Sequence, residues 1–255
     1  MSLERYGNYG PLPGKLVIVE GIDGSGKSTQ LDLLRKWIVS KGILAIFSEW
    51  NSSPVVRATT RMGKEQRLLS PMTFSLIHAA DFADRLERTI LPPLRAGAVV
   101  LTDRYIFTAS RANAARGIDR EYVRRLYRFA PRPDAAIYFH VPLREALQRI
   151  LAGRPELKYY EAGMDLGLSD DPYESFEIFQ GRILDEYQKM VPEFNLHVID
   201  ATLPITKQQR QVRDLVAPLL QGALKKPSMP YGRLMDEHGL RGRYIAETQA
   251  SRTED

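Results

Sequence analysis

The sequence predicts an α/β protein, a parallel sheet of about five strands with helices on both faces. Three observations lead there. Short apolar runs rich in Val and Ile alternate with longer stretches of helical periodicity. The runs lack polar alternation, as strands buried on both faces do. The first run leads into a glycine-rich turn and then a helix, the order that places ligands at the carboxyl ends of parallel strands.

Residues 1–14 hold three Gly and two Pro and read as an arm leading into the first strand, Lys15–Glu20. Leu31, Leu33, Leu34, Trp37 and Ile38 mark the next helix, and Ile43–Ser48 the second strand. A long helix is marked by Leu76, Ile77, Ala80, Ala83, Leu86, Ile90 and Leu94. The strands Val99–Asp103 and Ala135–Val141 follow, then a helix over Leu143–Leu151. Residues 153–172 are broken by Gly, Pro, Asp and Ser and read as a mobile loop. A helix over Phe176–Met190, a strand His197–Asp200 and a helix over Thr206–Leu220 complete a domain of residues 15–224. Residues 225–255 open Lys-Lys-Pro with little apolar periodicity, and read as a flexible or partner-bound tail.

Composition narrows the function. With 255 residues, 44% hydrophobic, 26% charged and a net charge of +5, the chain can bury one sizeable core and is not disordered as a whole. The absence of cysteine excludes a disulfide scaffold and a Cys-ligated metal site. No run reaches the roughly 18 apolar residues of a membrane span, and the first residues lack the apolar stretch of a secretory signal. A soluble, cytoplasmic protein without a membrane partner is expected. Seven arginines lie between Arg111 and Arg132 against only Asp119 and Glu121. Such a concentration suits a polyanion, and a nucleotide with several phosphates is one. Without an aromatic-interleaved basic strand, no nucleic-acid partner is expected.

The segment Gly21-Ile22-Asp23-Gly24-Ser25-Gly26-Lys27-Ser28-Thr29 matches the phosphate-binding pattern G-x-x-x-x-G-K-[ST] between a strand and a helix. Its glycines let backbone N–H groups turn inward on an anion, and the helix N-terminus adds its positive end. Lys27 would reach the β- and γ-phosphates, and the Ser28 hydroxyl would ligate Mg²⁺. Asp103, at a strand end, would stand on the metal side, or else simply cap the following segment. Arg104 would lie where transferred charge accumulates.

Taken together, these residues resemble the thymidylate kinases, a family of P-loop monophosphate kinases. Glu20 to Gln30 resembles the family's first motif; Asp103-Arg104-Tyr105 with Thr108 resembles its D-R-Y/F/H motif. Arg116-Gly117-Ile118-Asp119, Arg132 to Asp134, Arg149 with Arg154, and Val198-Ile199-Asp200-Ala201 extend the likeness over about residues 15–222. The resemblance implies phosphoryl transfer from ATP with Mg²⁺ to a nucleoside monophosphate, dTMP by default, in a homodimer. It implies Asp23 near the acceptor, Arg104 between the phosphates, Arg149 and Arg154 closing over ATP, Asp200 and Ala201 bordering the adenine, and a lid over about 149–172 that excludes water.

Departures cluster on the acceptor side. The family's R-E-P-G after the second strand is replaced by Ser48-Glu49-Trp50-Asn51-Ser52-Ser53-Pro54, so an acceptor-phosphate arginine is lost. Its F-A-A-D-R becomes His78-Ala79-Ala80-Asp81-Phe82, and its Y-Q pair becomes Ala112-Asn113. Asp23, Glu49, Trp50, His78, Phe82, Tyr105 and Asn113 are the acceptor-side candidates. Against them, His78 and Phe82 would equally serve as core, and Trp50 as a loop anchor. Arg57, Arg61, Arg85 or Arg111 could restore the missing charge. Two other functions stay open: a nucleoside kinase using Glu49 as general base, and a nucleotide-binding regulatory module.

Overall fold

The computed structural model describes residues 6–225. Its sheet is wholly parallel and comprises β1 (Lys15–Glu20), β2 (Ala45–Glu49), β3 (Val99–Asp103), β4 (Ala135–His140) and β5 (His197–Asp200), ordered β2-β3-β1-β4-β5. Successive side chains of a strand point to opposite faces. β1, β3 and β4 are buried at nearly every position, so both faces are covered, as the apolar runs predict.

The helices of the described residues are α1 (Lys27–Ser40), α2 (Arg57–Glu65), α3 (Pro71–Arg85), α4 (Leu91–Arg95), α5 (Ile106–Ala115), α6 (Arg120–Leu126), α7 (Leu143–Gly153), α8 (Pro172–Phe194) and α9 (Ile205–Val216). α1 packs on α9, where Gln209 Nε2 donates to Gln30 Oε1 at 2.8 Å. α5 packs on both α3 and α8. None of the helices described is long and apolar enough to cross a membrane.

The long helix expected up to Leu94 is interrupted by a wider π-type turn over Leu86–Ile90 before α4. Pro92 and Pro93 lack the N–H groups that would continue the α ladder, and the wide turn absorbs the gap while the backbone stays right-handed. α2, α5 and α6 carry no apolar stripe that periodicity detects. α2 buries only Thr60 and Gly63, and α5 is built largely of small residues.

The arm is fastened down over its described part: Gly7 N donates to Ala130 O at 2.8 Å and Gly14 N to Leu94 O at 2.8 Å. Of the expected tail, all but Lys225 lies outside the described residues; Lys225 bridges to Ile43.

Register sets the site. Val19 of β1 pairs with Asp103 of β3, and Glu49 of β2 pairs with Asp103 from the other side. The carboxyl ends of the three strands therefore lie side by side, with Gly21 and Arg104 leaving the sheet next to each other.

Candidate active site

The loop from Gly21 to Gly26 turns back over the end of β1 into α1. Gly24 adopts φ +79°, and a Cβ there would stand 2.5 Å from the Ala146 carbonyl oxygen, so only glycine fits. Gly26 caps α1 in the left-handed region at φ +77° and supplies no side-chain capping bond. The first-turn amides of α1 are thus left for an anion. Lys27 is buried, its Nζ 3.4 Å from both Ile22 O and Asp23 Oδ1. Burial, with the Arg104 charge, draws the Lys27 pKa down, against the opposing pull of Asp23 and Asp103. Ser28 Oγ donates to Asp103 Oδ2 at 2.6 Å, and the buried Asp103 Oδ1 has no hydrogen-bond partner. The Ser25 hydroxyl is likewise buried without one, and Thr29 is exposed on the first turn of α1.

Glu20, fully buried at the end of β1, organises the neighbouring turn. Its Oε1 accepts from the Tyr105 and Thr108 amides at 2.7 and 3.1 Å. Its Oε2 accepts from the Thr108 and Tyr187 hydroxyls at 2.6 and 2.7 Å. Between these anchors Arg104 takes φ +72°, an unfavourable conformation for a side-chain-bearing residue. Its amide donates to Val19 O at 2.9 Å, and its guanidinium pairs with Asp23. Burial opposes ionisation of Asp23, but the Arg104 and Lys27 charges outweigh it and hold that carboxyl far below the usual range.

On the other flank of the loop, Arg149 donates to Gly24 O at 3.3 Å and Ala201 O at 2.9 Å, tying the loop to the segment after β5. Asp200 is exposed there; its Oδ1 accepts from Thr202 N at 2.9 Å and Thr202 Oγ1 at 2.6 Å. These two bonds hold the Asp200 pKa below its ordinary value. Arg154, where α7 ends, pairs with Glu161 of the lid. Burial and the Asp23 charge push the Glu161 carboxyl up.

Beyond Asp23 and Arg104 opens a cavity of about 470 Å³, walled by α3, α5, α8, the end of α2, the loop after β2 and the lid segment. Its aromatic wall stacks Phe74 on His78, centroids 4.1 Å apart at 26°, with Trp50 a further 6.0 Å beyond His78. The His78 ring faces Phe74 O through Nδ1 at 2.7 Å; burial and the Lys64 charge hold its pKa down to about 3. The ring is therefore neutral, with Nδ1 as donor. The lid is clamped to this wall by Arg116. That guanidinium donates to Asp165 Oδ2 at 2.8 Å and Tyr160 O at 2.9 Å, and lies 4.5 Å from the Phe74 centroid. Asp81, buried in α3, accepts from Asn51 N and Ser53 N at 3.1 and 2.9 Å and so fixes the loop that carries Trp50. Four buried side-chain atoms on the cavity wall lack a hydrogen-bond partner: Asn51 Oδ1, Arg111 Nε, Glu161 Oε1 and Gln180 Oε1.

Of the residues expected on the donor side, Lys27, Ser28, Asp103, Arg104 and Arg149 meet at the cradle, and Ala201 is tied to it through Arg149, whereas Arg154 pairs with Glu161 and Asp200 bonds to Thr202. Asp23, Trp50 and His78 line the cavity. Phe82 and Tyr105 do not. Both are fully buried; Phe82 packs edge-on to Tyr105 at 5.1 Å, and the Tyr105 hydroxyl donates to Pro131 O at 2.7 Å. They belong to the core: Phe82 of α3 packs among Tyr105, Tyr127 and Phe129, and Tyr105 sits in the turn between β3 and α5. Glu49 sits exposed at the end of β2, off the cavity wall. Asn113 lies on α5, its side chain outside what the structure describes. Sequence reasoning passed over Phe74, Lys64 and Asn51. Phe74 had a usable signal, standing four residues before His78 on one helix face. Asn51 had none beyond lying next to Trp50.

The sequence profile of the thymidylate kinase family matches residues 19–212. A "Probable thymidylate kinase 2" of Saccharolobus solfataricus is 40% identical over 213 residues, covering 83% of this chain and 99% of that protein. A "Probable thymidylate kinase" of Thermococcus gammatolerans is 30% identical over 213 residues, 80% of this chain and 96% of its own length. A "Thymidylate kinase" of Desulfotalea psychrophila is 33% identical over 145 residues, 56% of this chain and 72% of that protein. With an intact phosphate cradle, a strand-end Asp-Arg pair and relatives matched nearly end to end, the chain belongs to the thymidylate kinase family.

Proposed function

We propose that this protein transfers the γ-phosphoryl group of ATP to dTMP, giving dTDP and ADP. The observation that carries the reading is the continuity of the site: the loop after β1 opens past Asp23 and Arg104 directly into a cavity with an aromatic wall. Donor phosphates and an acceptor base are thereby supported from opposite ends.

In this reading the loop amides and Lys27 hold the β- and γ-phosphates. An acceptor phosphate oxygen attacks the γ-phosphorus in line as the bond to the bridging oxygen breaks. Arg104, freed from Asp23 by the incoming phosphates, neutralises charge between donor and acceptor. Arg149 with Asp200 and Ala201 borders the adenine, and Arg154 approaches from the lid. Trp50, His78 and Phe74 flank the acceptor base, with His78 neutral. The clamp between Arg116 and Asp165 keeps the lid over the reacting groups and excludes water.

The unpartnered Asp103 Oδ1 beside Ser28 Oγ fits a hard divalent cation. Ser28 and Asp103 would hold Mg²⁺, which supplies charge neutralisation at the β- and γ-phosphate oxygens. Among the described residues no cluster of three His, Asp or Glu offers a self-sufficient cation site, so nucleotide phosphates and water would complete the shell.

Glu49 as general base for a nucleoside hydroxyl is not favoured, since that carboxylate is exposed and off the cavity wall. A homodimer and a cytoplasmic location are proposed by analogy with the family, and sedimentation of the purified chain tests the first. The reaction itself is tested by ADP release from Mg-ATP with each nucleoside and deoxynucleoside monophosphate. Turnover is expected with dTMP above the others; equal or better turnover with another monophosphate would replace the acceptor.

A further inference from the structure

The stretch Ser48–Pro54 at the end of β2 carries no Lys or Arg, yet a monophosphate acceptor carries charge that some cation must meet. We propose that Arg111 of α5 holds the acceptor 5′-phosphate. This rests on the monophosphate-kinase reading above and adds the residue that anchors its acceptor.

The candidates separate by what their side chains already do. Arg57 and Arg61 are exposed on α2, away from the cavity wall. Arg85 is buried, donates to Ser48 Oγ at 3.0 and 3.2 Å, and pairs with Asp81 at 3.5 Å. Arg116 is committed to Asp165, Tyr160 O and two aromatic rings. Arg111 is buried on the cavity wall and makes no ion pair or hydrogen bond among the described residues; its Nε is an unpartnered donor. It lies over the Tyr187 ring at 5.1 Å. A buried guanidinium with no carboxylate in contact is costly, and a phosphate would relieve that cost with charge-assisted, bidentate bonds.

Position supports the same residue. Thr108 is fastened to Glu20 by both amide and hydroxyl, and Glu20 immediately precedes the loop. Arg111 stands three residues further on the same helix, about 4.5 Å along its axis. It is thereby held at the junction of cradle and cavity, where its charge acts on both Asp23 and Lys27. Lys64 also lines the cavity, but it sits over the Phe74 ring at 5.3 Å and shares its surroundings chiefly with Arg116, at the base end.

The test is a ligand-by-variant cycle read by Trp50 fluorescence or calorimetry. dTMP, thymidine and ATP are each titrated into the wild type, Arg111→Met, Arg111→Lys and Lys64→Met. Wild type should bind dTMP tighter than thymidine. Arg111→Met should erase that preference by roughly 10- to 150-fold, the range for loss of a charged hydrogen bond. Thymidine and ATP affinities should stay within about threefold, and Arg111→Lys should recover part of the preference. Thermal stability of Arg111→Met should hold or rise, which a merely structural arginine would not allow. A preference that survives Arg111→Met, or collapses in Lys64→Met instead, overturns the proposal. A wild type that binds thymidine as well as dTMP overturns the monophosphate reading itself.

Discussion

The donor and acceptor halves of this site are built in different ways. The donor cradle is backbone: a loop of a few residues, a helix N-terminus and two strand ends whose register places Asp103 beside Ser28. The acceptor cavity is side chains, drawn from the loop after β2, from α2, α3, α5 and α8, and from the lid. Backbone geometry tolerates little change, as the 2.5 Å approach at Gly24 shows. A side-chain wall can be rebuilt so long as each buried charge and base edge still finds a partner. The donor half is thus fixed by backbone contacts, while the acceptor half is set by which side chains line it.

That contrast can be broken by substitution. The largest effect is expected at Arg104, which touches both halves. Arg104→Ala should lower kcat by roughly 10³-fold or more, the scale of a charge placed at the transferred phosphoryl group, measured as ADP release at saturating ATP and dTMP. A loss confined to KM would place Arg104 in ground-state binding alone. Next comes Arg111→Met, expected to act on dTMP affinity and to leave ATP affinity nearly untouched. Equal losses for both ligands would erase the division between the halves.

Glu20→Gln should cost about 2–3 kcal/mol of stability, because the buried carboxylate serves four donors and a neutral amide serves fewer. Urea denaturation checks this, and an unchanged midpoint would show that the turn holds Arg104 without it.

The smallest effect concerns His78. Its pKa is about 3 in the fold against an ordinary 6.5, so between those values the unfolded chain binds the extra proton. Stability is then full above pH 6.5 and is lost as pH falls below it, by about 2 kcal/mol at pH 5. His78→Phe should flatten that slope in denaturation curves at pH 7 and pH 5.

The same contrast explains what was legible beforehand. The strands Lys15–Glu20, Val99–Asp103 and His197–Asp200 lie where apolar runs place them, since burial on both faces leaves a continuous apolar trace. The cradle was legible because its function resides in contiguous glycines and one lysine. Phe82 and Tyr105 were drawn to the acceptor side by alignment with a motif. Their burial in the core comes from tertiary packing that a linear pattern does not carry. Arg111 lay inside an arginine-rich stretch, but only packing distinguishes it from Arg120 and Arg124, which pair with Glu186 and Glu193 of α8. Glu20 stands immediately before the phosphate-loop motif, yet its four donors come from residues 85 to 167 positions away.

A phosphate-transfer cradle facing a cavity suited to a monophosphate is tested by a single-turnover experiment: enzyme in excess over γ-labelled ATP, mixed with Mg²⁺ and either dTMP or thymidine. Rapid transfer of label from ATP into dTDP is expected with dTMP, and no labelled dTMP with thymidine. Label appearing in dTMP made from thymidine, at a comparable rate and abolished by Glu49→Gln, would contradict it.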